Sequence, residues 1–200
     1  MTLSEVDLYA YATAMCGVAD LAEADLAAGV ASVRIRLLAK GEFLLRAGDQ
    51  AEQVAVVVQG LLREHFVLPD GTERTKAFVL EGQLSGSLAD LLSSAPSRAY
   101  IVAEEPSRLL LMPFSAARQL AQQRPAWRTL GARVTESLLR VKAEREYELL
   151  GLDAAGRYEA FRTRYPGLEA RVSAKHVASY LGITPVHLSR LRRQRRAVGR

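Results

Sequence analysis

The sequence predicts an α+β protein in which an N-terminal antiparallel β-sandwich or barrel is followed by a long helix and a C-terminal helical domain. Between residues 32 and 113, short β-branched and apolar runs alternate with glycines at turn-like spacing, which is typical of antiparallel sheets. From residue 114 onward, helical periodicity replaces this pattern. Charge divides in the same way: residues 1–123 hold 10 basic and 15 acidic residues, whereas residues 124–200 hold 17 and 7. A basic C-terminal part favours binding to a polyanion. The alternative is that this basic surface only keeps the protein in solution.

Composition excludes several classes of protein. The chain has 200 residues, of which 49% are hydrophobic, so it can bury a substantial core. Its single cysteine, Cys16, excludes an intramolecular disulfide framework and cannot by itself hold zinc or an iron–sulfur cluster. The first ten residues carry Glu5 and Asp7 but no basic residue, unlike a secretory signal. Since no apolar run is long enough to span a membrane, we expect a cytoplasmic protein with no membrane partner.

The elements of the first half follow from local pattern. Residues 2–31 are rich in alanine, leucine and acidic residues and predict one or two helices. Pro69-Asp70-Gly71 predicts a hairpin turn, since proline presets φ and glycine accepts positive φ. The predicted strands are the β-branched and apolar runs at residues 33–38, 43–46, 54–58, 61–68, 74–80, 100–103 and 109–112.

Helices fill the second half. A short helix is predicted at 114–123, and a long one at 126–150 with a single apolar stripe at steps of 4, 4 and 3. So narrow a stripe usually needs a partner helix, which predicts a homodimer, although the stripe could instead pack on the chain's own β domain. The predicted dimer residues are Leu130, Val134, Leu138 and Val141.

A helix break defines the third domain. Gly151 interrupts the long helix, and Asp153 is a good N-cap for a helix over 154–165, which Pro166-Gly167 ends. The predicted domains are therefore 1–125, the helix 126–150, and 153–200.

Two short helices joined by a glycine turn follow. Ser173 predicts the cap of the first helix, Gly182 the sharp turn, and Thr184 the cap of the second helix, with Pro185 at its first position. This order is that of a helix-turn-helix unit. The residues predicted to face inward are Val177, Tyr180, Leu181, Ile183, Leu188 and Leu191.

The outward face of this unit is polar and basic. A helix fits the major groove of DNA, and arginine can bond guanine bidentately, so Arg190 is the candidate base reader. The candidate DNA contacts are Ser173, Lys175, Thr184, Pro185, Val186, His187, Ser189, Arg190 and Arg193. Arg192, Arg195, Arg196 and Arg200 are candidate phosphate contacts. The alternative is an ordinary helical hairpin with a solvated basic face.

With these motifs in order, the chain resembles the Crp/Fnr family, the cyclic-AMP receptor protein and its bacterial relatives. Residues 40–49, 58–60 and 69–71 resemble that family's N-terminal jelly roll, and residues 178–193 its recognition unit, in a subgroup without the C-terminal wing. Residues 86–100 resemble the phosphate-binding cassette, and 152–157 the hinge. The resemblance implies a homodimeric transcriptional regulator that binds a pseudo-palindromic site on double-stranded DNA, contacts RNA polymerase, and pivots near Asp153 in response to a small-molecule effector.

The cassette departs from the cyclic-AMP-responsive pattern. Where those members have a glutamate for the ribose 2′-hydroxyl this chain has Ser87, and where they have an arginine for the phosphate it has Ser97, with Arg98 one step on. Successive strand residues point to opposite faces, so Arg98 should point away unless a bulge turns it inward. We therefore expect an unknown effector or none, with a cyclic-nucleotide-dependent activator as the alternative. The candidate effector residues are Gly86, Ser87, Leu88, Ala89, Ser97, Arg98 and Lys142.

Other functions are less well supported. Jelly rolls also host metalloenzymes, but the β region offers only Glu64 and His65 as metal ligands, and His65 is expected on a strand surface. A cyclic-nucleotide module that acts without DNA conflicts with the helix-turn-helix unit. Among DNA contacts, Val186 replaces the family's commoner glutamate and could touch a thymine methyl. We expect no enzyme activity, no metal and no cofactor.

Overall fold

Two compact units make up the chain. A computed structural model describes residues 2–198, with side chains up to Arg195, so Arg200 and the side chain of Arg196 lie outside the described residues. The first unit comprises the described residues up to Phe66 together with Phe78–Ser137. The second comprises Val67–Ala77 together with the described residues from Leu138 onward.

The elements agree closely with the sequence pattern. The helices are α1 (Glu5–Cys16), α2 (Glu23–Val30), α3 (Leu88–Ser93), α4 (Phe114–Gln123), α5 (Pro125–Gly151), α6 (Ala154–Arg164), α7 (Ala174–Leu181) and α8 (Pro185–Val198). The strands are β1 (Arg34–Leu38), β2 (Phe43–Leu45), β3 (Gln53–Gln59), β4 (Leu62–Val67), β5 (Glu73–Val79), β6 (Leu84–Ser85), β7 (Tyr100–Ala103) and β8 (Ser107–Pro113). Only β6 was not predicted among the strands, because two residues carry no periodicity.

The strands form two four-stranded antiparallel sheets, in the orders β1-β8-β3-β6 and β2-β7-β4-β5. Between them lies an apolar core to which the first sheet contributes Leu38, Val57 and Leu109, and the second Leu62, Ile101 and Ala103. The predicted antiparallel jelly roll and the α+β class are confirmed.

Helices cover the outer face of the first sheet. Val56 and Leu110 of that sheet pack with Tyr11 of α1 and with Trp127 and Leu130 of α5. A bidentate ion pair joins α1 to β8, since Arg108 donates to both carboxylate oxygens of Asp7 at 2.7 Å. The hydrogen bonds from Arg108 and Ser4 outweigh burial and hold the pKa of Asp7 well below its usual range.

This core changes the interpretation of the apolar stripe on α5. Leu130 is only 6% exposed and belongs to the core of its own unit, and Val134 packs against that core. Leu130 therefore has almost no surface to offer a partner chain, contrary to the expectation that it lies in a dimer interface. Periodicity indicates that a helix face is buried but not against which surface.

His65 also differs from expectation. It was expected on a strand surface, but it is buried and its ring stacks on Tyr100 at a centroid distance of 5.2 Å. Its neighbour Glu64 lies opposite Ile101 in the register, so it shares the inward face of the second sheet. The sandwich interior therefore holds a buried acidic side chain.

In the second unit, an aromatic cluster forms the core of the helical domain. Phe161, Tyr165 and Tyr180 pack with ring centroids 5.5 to 5.7 Å apart. Three leucines are also fully buried in this domain: Leu168 in a 3-10 turn, Leu181 in α7 and Leu188 in α8. The two units divide at Ser137 and Leu138, within α5. The expected domain boundary between residues 150 and 153 is therefore not where the compact units part.

Candidate nucleic-acid interface and sensor site

Local signals build the helix-turn-helix unit as predicted. The Ser173 side chain accepts a hydrogen bond from the backbone N–H of His176 at 3.2 Å and caps α7. Gly182 ends α7 with φ at 69°, a left-handed conformation that favours glycine. Thr184 caps α8 by accepting from the backbone N–H of His187 at 3.2 Å, and Pro185 is the first residue of α8. The predicted caps and turn are confirmed.

One side of α8 is buried and the other is open. Leu188 is fully buried and Leu191 nearly so, while Ile183 in the turn is half-buried rather than buried. Val186 is 63% exposed on the open side. All nine candidate DNA contacts are exposed, namely Ser173, Lys175, Thr184, Pro185, Val186, His187, Ser189, Arg190 and Arg193.

The arginines of α8 fall into two groups. Arg192 donates to Glu169 at 2.7 and 2.8 Å, and Glu169 also accepts from the Tyr158 hydroxyl, so Arg192 anchors α8 to its own domain. Arg195 pairs with Glu159 at 2.8 Å on the surface. Within the described side chains, Arg190 and Arg193 form no ion pair with the chain itself. Arg192 is thus held by Glu169 within its own domain, and the phosphate contact expected of it stays a prediction.

The first helix of the unit contacts the β4–β5 hairpin. The Ser179 hydroxyl donates to the backbone oxygen of Glu73 at 2.9 Å and accepts from the backbone N–H of Thr75 at 2.9 Å. Both strand residues belong to the second unit. Two hydrogen bonds to one serine therefore hold α7 against residues 73–75 of the same unit. Lys175, at the start of α7, is exposed.

The end of α5 is tied to the helical domain. The Arg145 guanidinium lies 3.9 Å from the centre of the Tyr180 ring, and Glu148 accepts from Arg164 at 2.7 Å. Asp153 caps α6 by accepting from the backbone N–H of Gly156 at 2.8 Å, as predicted. Because residues on both sides of Asp153 are held within one unit, the contacts give no support to a pivot at that residue.

Exposed apolar side chains lie along the part of α5 that belongs to the second unit. Leu138 is 39% exposed and Leu150 is 81% exposed. Because each residue turns an α-helix by about 100°, Leu139, Leu149 and Leu150 all lie within roughly 120° of Leu138 around the helix axis, on one side of it. The exposed apolar set is Leu138, Leu139, Val141, Tyr147, Leu149 and Leu150. Of the four predicted dimer residues, Leu138 and Val141 therefore have surface available for a partner.

The cassette after β6 is organised around Asp90. Gly86 has φ at 149°, a conformation that favours glycine, and a Cβ there would lie 3.3 Å from the Gln53 carbonyl oxygen. The Ser87 hydroxyl donates to the Asp90 carboxylate at 2.5 Å. The Ser97 hydroxyl donates to the carbonyl oxygen of Ala99 at 3.0 Å.

The Asp90 carboxylate is buried and yet charged. Burial alone would raise its pKa, but hydrogen bonds from Ser87, Ser97 and the backbone N–H of Arg98, together with the Arg98 charge, hold the pKa below its usual range. Ser97 is buried while Arg98 is exposed, but both precede β7, so strand alternation is not the reason. Of the candidate effector residues, Ser87 is hydrogen-bonded to a carboxylate of the chain itself.

Asp90 was not identified from the sequence, although a local signal exists. It lies three residues after Ser87, the spacing of a helix capping box. Among the remaining candidates, Gly86 and Leu88 are half-buried and Ala89 is exposed beside the cassette. Lys142 is exposed on the part of α5 that belongs to the second unit.

Among the described residues, no three His, Cys, Asp or Glu side chains lie together as ligands for a metal ion. Likewise, none of the described helices combines the length and apolar character needed to cross a membrane.

Known proteins resemble both parts of the chain. The family model described as "Cyclic nucleotide-binding domain" matches residues 35–124, the jelly roll. The "Transcriptional activator protein Anr" of Pseudomonas protegens is 30% identical over 169 residues, which cover 79% of this chain and 68% of that protein. The "Anaerobic regulatory protein" of Haemophilus influenzae is 25% identical over 169 residues, 79% of this chain and 65% of the relative. The chain thus spans about two thirds of the length of these curated relatives.

A solved structure agrees over most of the fold. The structure of FixK2 from Bradyrhizobium japonicum superposes with a TM-score of 0.71 at 26% identity, covering 84% of this chain and 86% of that chain. The similarity therefore extends well beyond the jelly roll that the family model matches.

Proposed function

Because the chain belongs to the Crp/Fnr family of transcriptional regulators, we propose that it binds double-stranded DNA as a homodimer and reads the major groove with α8. The observation that carries this proposal is the division of α8 into a buried apolar side and an open side with two arginines that have no acidic partner within the described side chains. Arg192 is paired internally with Glu169, so Arg190 and Arg193 are the arginines available to a polyanion.

The open side offers the chemistry of base recognition. The Arg190 guanidinium can donate two hydrogen bonds to guanine O6 and N7. Val186 provides an exposed apolar surface for a thymine methyl, while its lack of an acceptor disfavours cytosine N4. Lys175 and the Ser173 hydroxyl, at the start of α7, suit phosphate contacts that position the protein without reading sequence.

Homodimerisation would use Val141 and the exposed leucines of α5, which are Leu138, Leu139, Leu149 and Leu150. A twofold axis along these helices would present two recognition helices to successive major grooves, about 34 Å apart. Contacts with RNA polymerase and a small-molecule effector remain predictions from the family resemblance. The proposal assigns no catalytic residue and no cofactor.

The salt dependence of DNA binding tests the proposal. We expect a fluorescently labelled duplex to bind the protein with an affinity that falls steeply between 50 and 200 mM salt, because phosphate contacts release counterions. Arg195→Ala should weaken binding to all sequences alike and reduce the salt slope by roughly one unit, since Arg195 can exchange its exposed Glu159 pair for a phosphate. Binding that is absent at low salt would contradict the proposal.

Cyclic AMP is expected not to bind the cassette at micromolar concentrations. Ser87 cannot form the charge-assisted bond that glutamate makes to the ribose, and Ser97 cannot clamp the phosphate as arginine does. The two losses together cost roughly 3–6 kcal/mol if independent, or about 100-fold to 10,000-fold in affinity. Titration calorimetry with cyclic AMP and cyclic GMP measures this. A micromolar dissociation constant that Arg98→Ala abolishes would establish a working nucleotide site instead.

A further inference from the structure

We infer that Arg145 is a positioning residue for DNA binding: it fixes α7 and α8 against the C-terminal part of α5 and thereby sets the half-site spacing that the dimer accepts. The inference rests on the proposed function, because spacing has a meaning only for a dimer that binds two half-sites. All the contacts that support it lie within the second unit.

A closed ring of four side chains joins α5, α6 and α7. The Arg145 guanidinium donates to one carboxylate oxygen of Glu148 at 2.8 Å, and Arg164 of α6 donates to the other at 2.7 Å. Arg164 also donates to the Tyr180 hydroxyl of α7 at 2.8 Å. Arg145 completes the ring, because it donates to the backbone oxygen of Tyr180 and lies 3.9 Å from the centre of the Tyr180 aromatic ring.

This ring of contacts is shielded from water. Tyr180 is 2% exposed and Glu148 is 5% exposed, and each oxygen of the Glu148 carboxylate is used by a different arginine. Hydrogen bonds between charged groups are stronger than neutral ones, and the guanidinium directs them in fixed directions. The contacts therefore permit few orientations of α7 relative to α5.

Arg145 acts at the end of α7 from which the recognition helix departs. Tyr180 and Leu181 are the last residues of α7, where backbone carbonyls have no partner within the helix. Arg145 donates to the first of these carbonyls. Arg157 of α6 donates to the carbonyl oxygens of Leu181, at 2.9 Å, and of Leu152, at 2.6 Å, just after α5. Because α8 begins four residues after Leu181, its direction follows from how this end is held.

Arg145 also borders the proposed dimer surface. It lies seven residues after Leu138 and four before Leu149, so the three residues share one side of α5 at about 100° per residue. Both leucines are exposed. A partner helix packed on these leucines would lie beside the residue that holds α7. The orientation of the recognition unit is thus tied to the dimer axis.

Small changes of orientation are large on the scale of DNA. The recognition helix α8 has 14 residues and is about 21 Å long. Tilting it by about 10° moves its far end by roughly 3.6 Å, which is close to the 3.4 Å between successive nucleotides of one strand. A loosened α7 would therefore allow half-sites at several spacings, whereas a fixed α7 accepts one.

The role requires arginine rather than any positive charge. A planar guanidinium can stack on an aromatic ring while it donates to two different acceptors, whereas the ammonium of lysine is a compact point charge on a flexible stem. Arg145→Lys should keep the ion pair with Glu148 but lose the stacking on Tyr180. It should therefore retain much of the stability and lose the positioning.

Duplexes with altered spacers test the inference in the full chain. They carry the inverted repeat enriched by selection from random DNA, with its spacer unchanged or changed by one base pair. The wild type should prefer the unchanged spacer by at least about tenfold, because a displaced half-site loses base contacts. Arg145→Ala and Arg145→Lys should prefer it by less than about threefold, while their affinity for a single half-site stays within about threefold of wild type. Fluorescence anisotropy measures all of these.

Arg140→Ala is the matched control, because Arg140 is an exposed arginine of the same helix. It should keep the spacing preference of the wild type. Sedimentation velocity and thermal unfolding establish that each variant is a folded dimer. If Arg145 served only stability, its loss would lower the unfolding midpoint and weaken binding to every duplex alike, so the ratio between spacers would not change.

The ratio between spacers decides the inference. A folded, dimeric Arg145→Ala that keeps the wild-type preference, or a wild type without any preference, would overturn it. If Arg145→Ala does not fold or dimerise, the ratio for Arg145→Lys decides, and failure of both variants to fold would assign Arg145 to stability and overturn the positioning role. A wild type that enriches no inverted repeat would instead refute the proposed function, and this inference with it.

Discussion

Replacing Arg190 with alanine is expected to lower the affinity of the dimer for its selected DNA site by roughly 30-fold to 25,000-fold. A bidentate base contact is worth about 1–3 kcal/mol, and a twofold site loses it in both half-sites. Binding to scrambled DNA should change much less, because Arg190 would contribute there as a single charge. Fluorescence anisotropy with the selected and scrambled duplexes measures both.

Arg195→Ala is the matched control for Arg190→Ala. Both variants remove one exposed arginine from α8, but Arg195 pairs with Glu159 at 2.8 Å and is expected to meet phosphate only. The two variants should therefore differ in specificity and not simply in affinity. An equal loss on selected and scrambled DNA for Arg190→Ala would refute a base-reading role.

The contrast among neighbouring arginines marks the limit of prediction from sequence. The caps at Ser173 and Thr184 could be predicted because each acts within three residues of itself. That Arg192 is held by Glu169 while Arg190 is open could not, because the 3-10 turn meets α8 only through the tertiary fold. The position of a residue along a helix indicates in which direction its side chain points, but not which residue of the folded chain it meets there.

The same reason explains the cassette and the apolar stripe. The pairing of Ser87 with Asp90 could be predicted, because the two residues have the spacing of a capping box. Leu130 and Leu138 belong to one periodic stripe, yet Leu130 is buried by Tyr11 and Trp127 while Leu138 stays exposed. The jelly roll was predictable because its turns and strands are strongly patterned; the assignment of each buried face to a surface was not.

Introducing charge at the exposed part of α5 should separate the dimer. Leu138→Glu combined with Leu150→Glu places unpaired carboxylates where apolar contact is proposed. Each buried unpaired charge costs at least about 3 kcal/mol, so the dimer dissociation constant should rise by more than roughly 100-fold. Sedimentation velocity measures the association state, and DNA affinity should fall with it because one half-site remains per chain.

A charge on the opposite side of α5 is the control for this variant. Arg140→Glu lies two residues after Leu138, about 200° around the helix, and is exposed. It should leave the dimer intact, and both proteins should keep wild-type helical content by circular dichroism. A folded Leu138→Glu and Leu150→Glu variant that still sediments as a stable dimer would place the interface elsewhere. Val134 is unsuitable for this test, because it packs against the core of its own unit.

Selection of bound sequences from random double-stranded DNA tests the central claim most directly. The account predicts enrichment of an inverted repeat whose half-sites lie one helical turn apart, about 34 Å, with a guanine in each half-site that Arg190→Ala no longer selects. Failure to enrich any sequence from a folded, dimeric protein, or enrichment of a single unrepeated site, would contradict it.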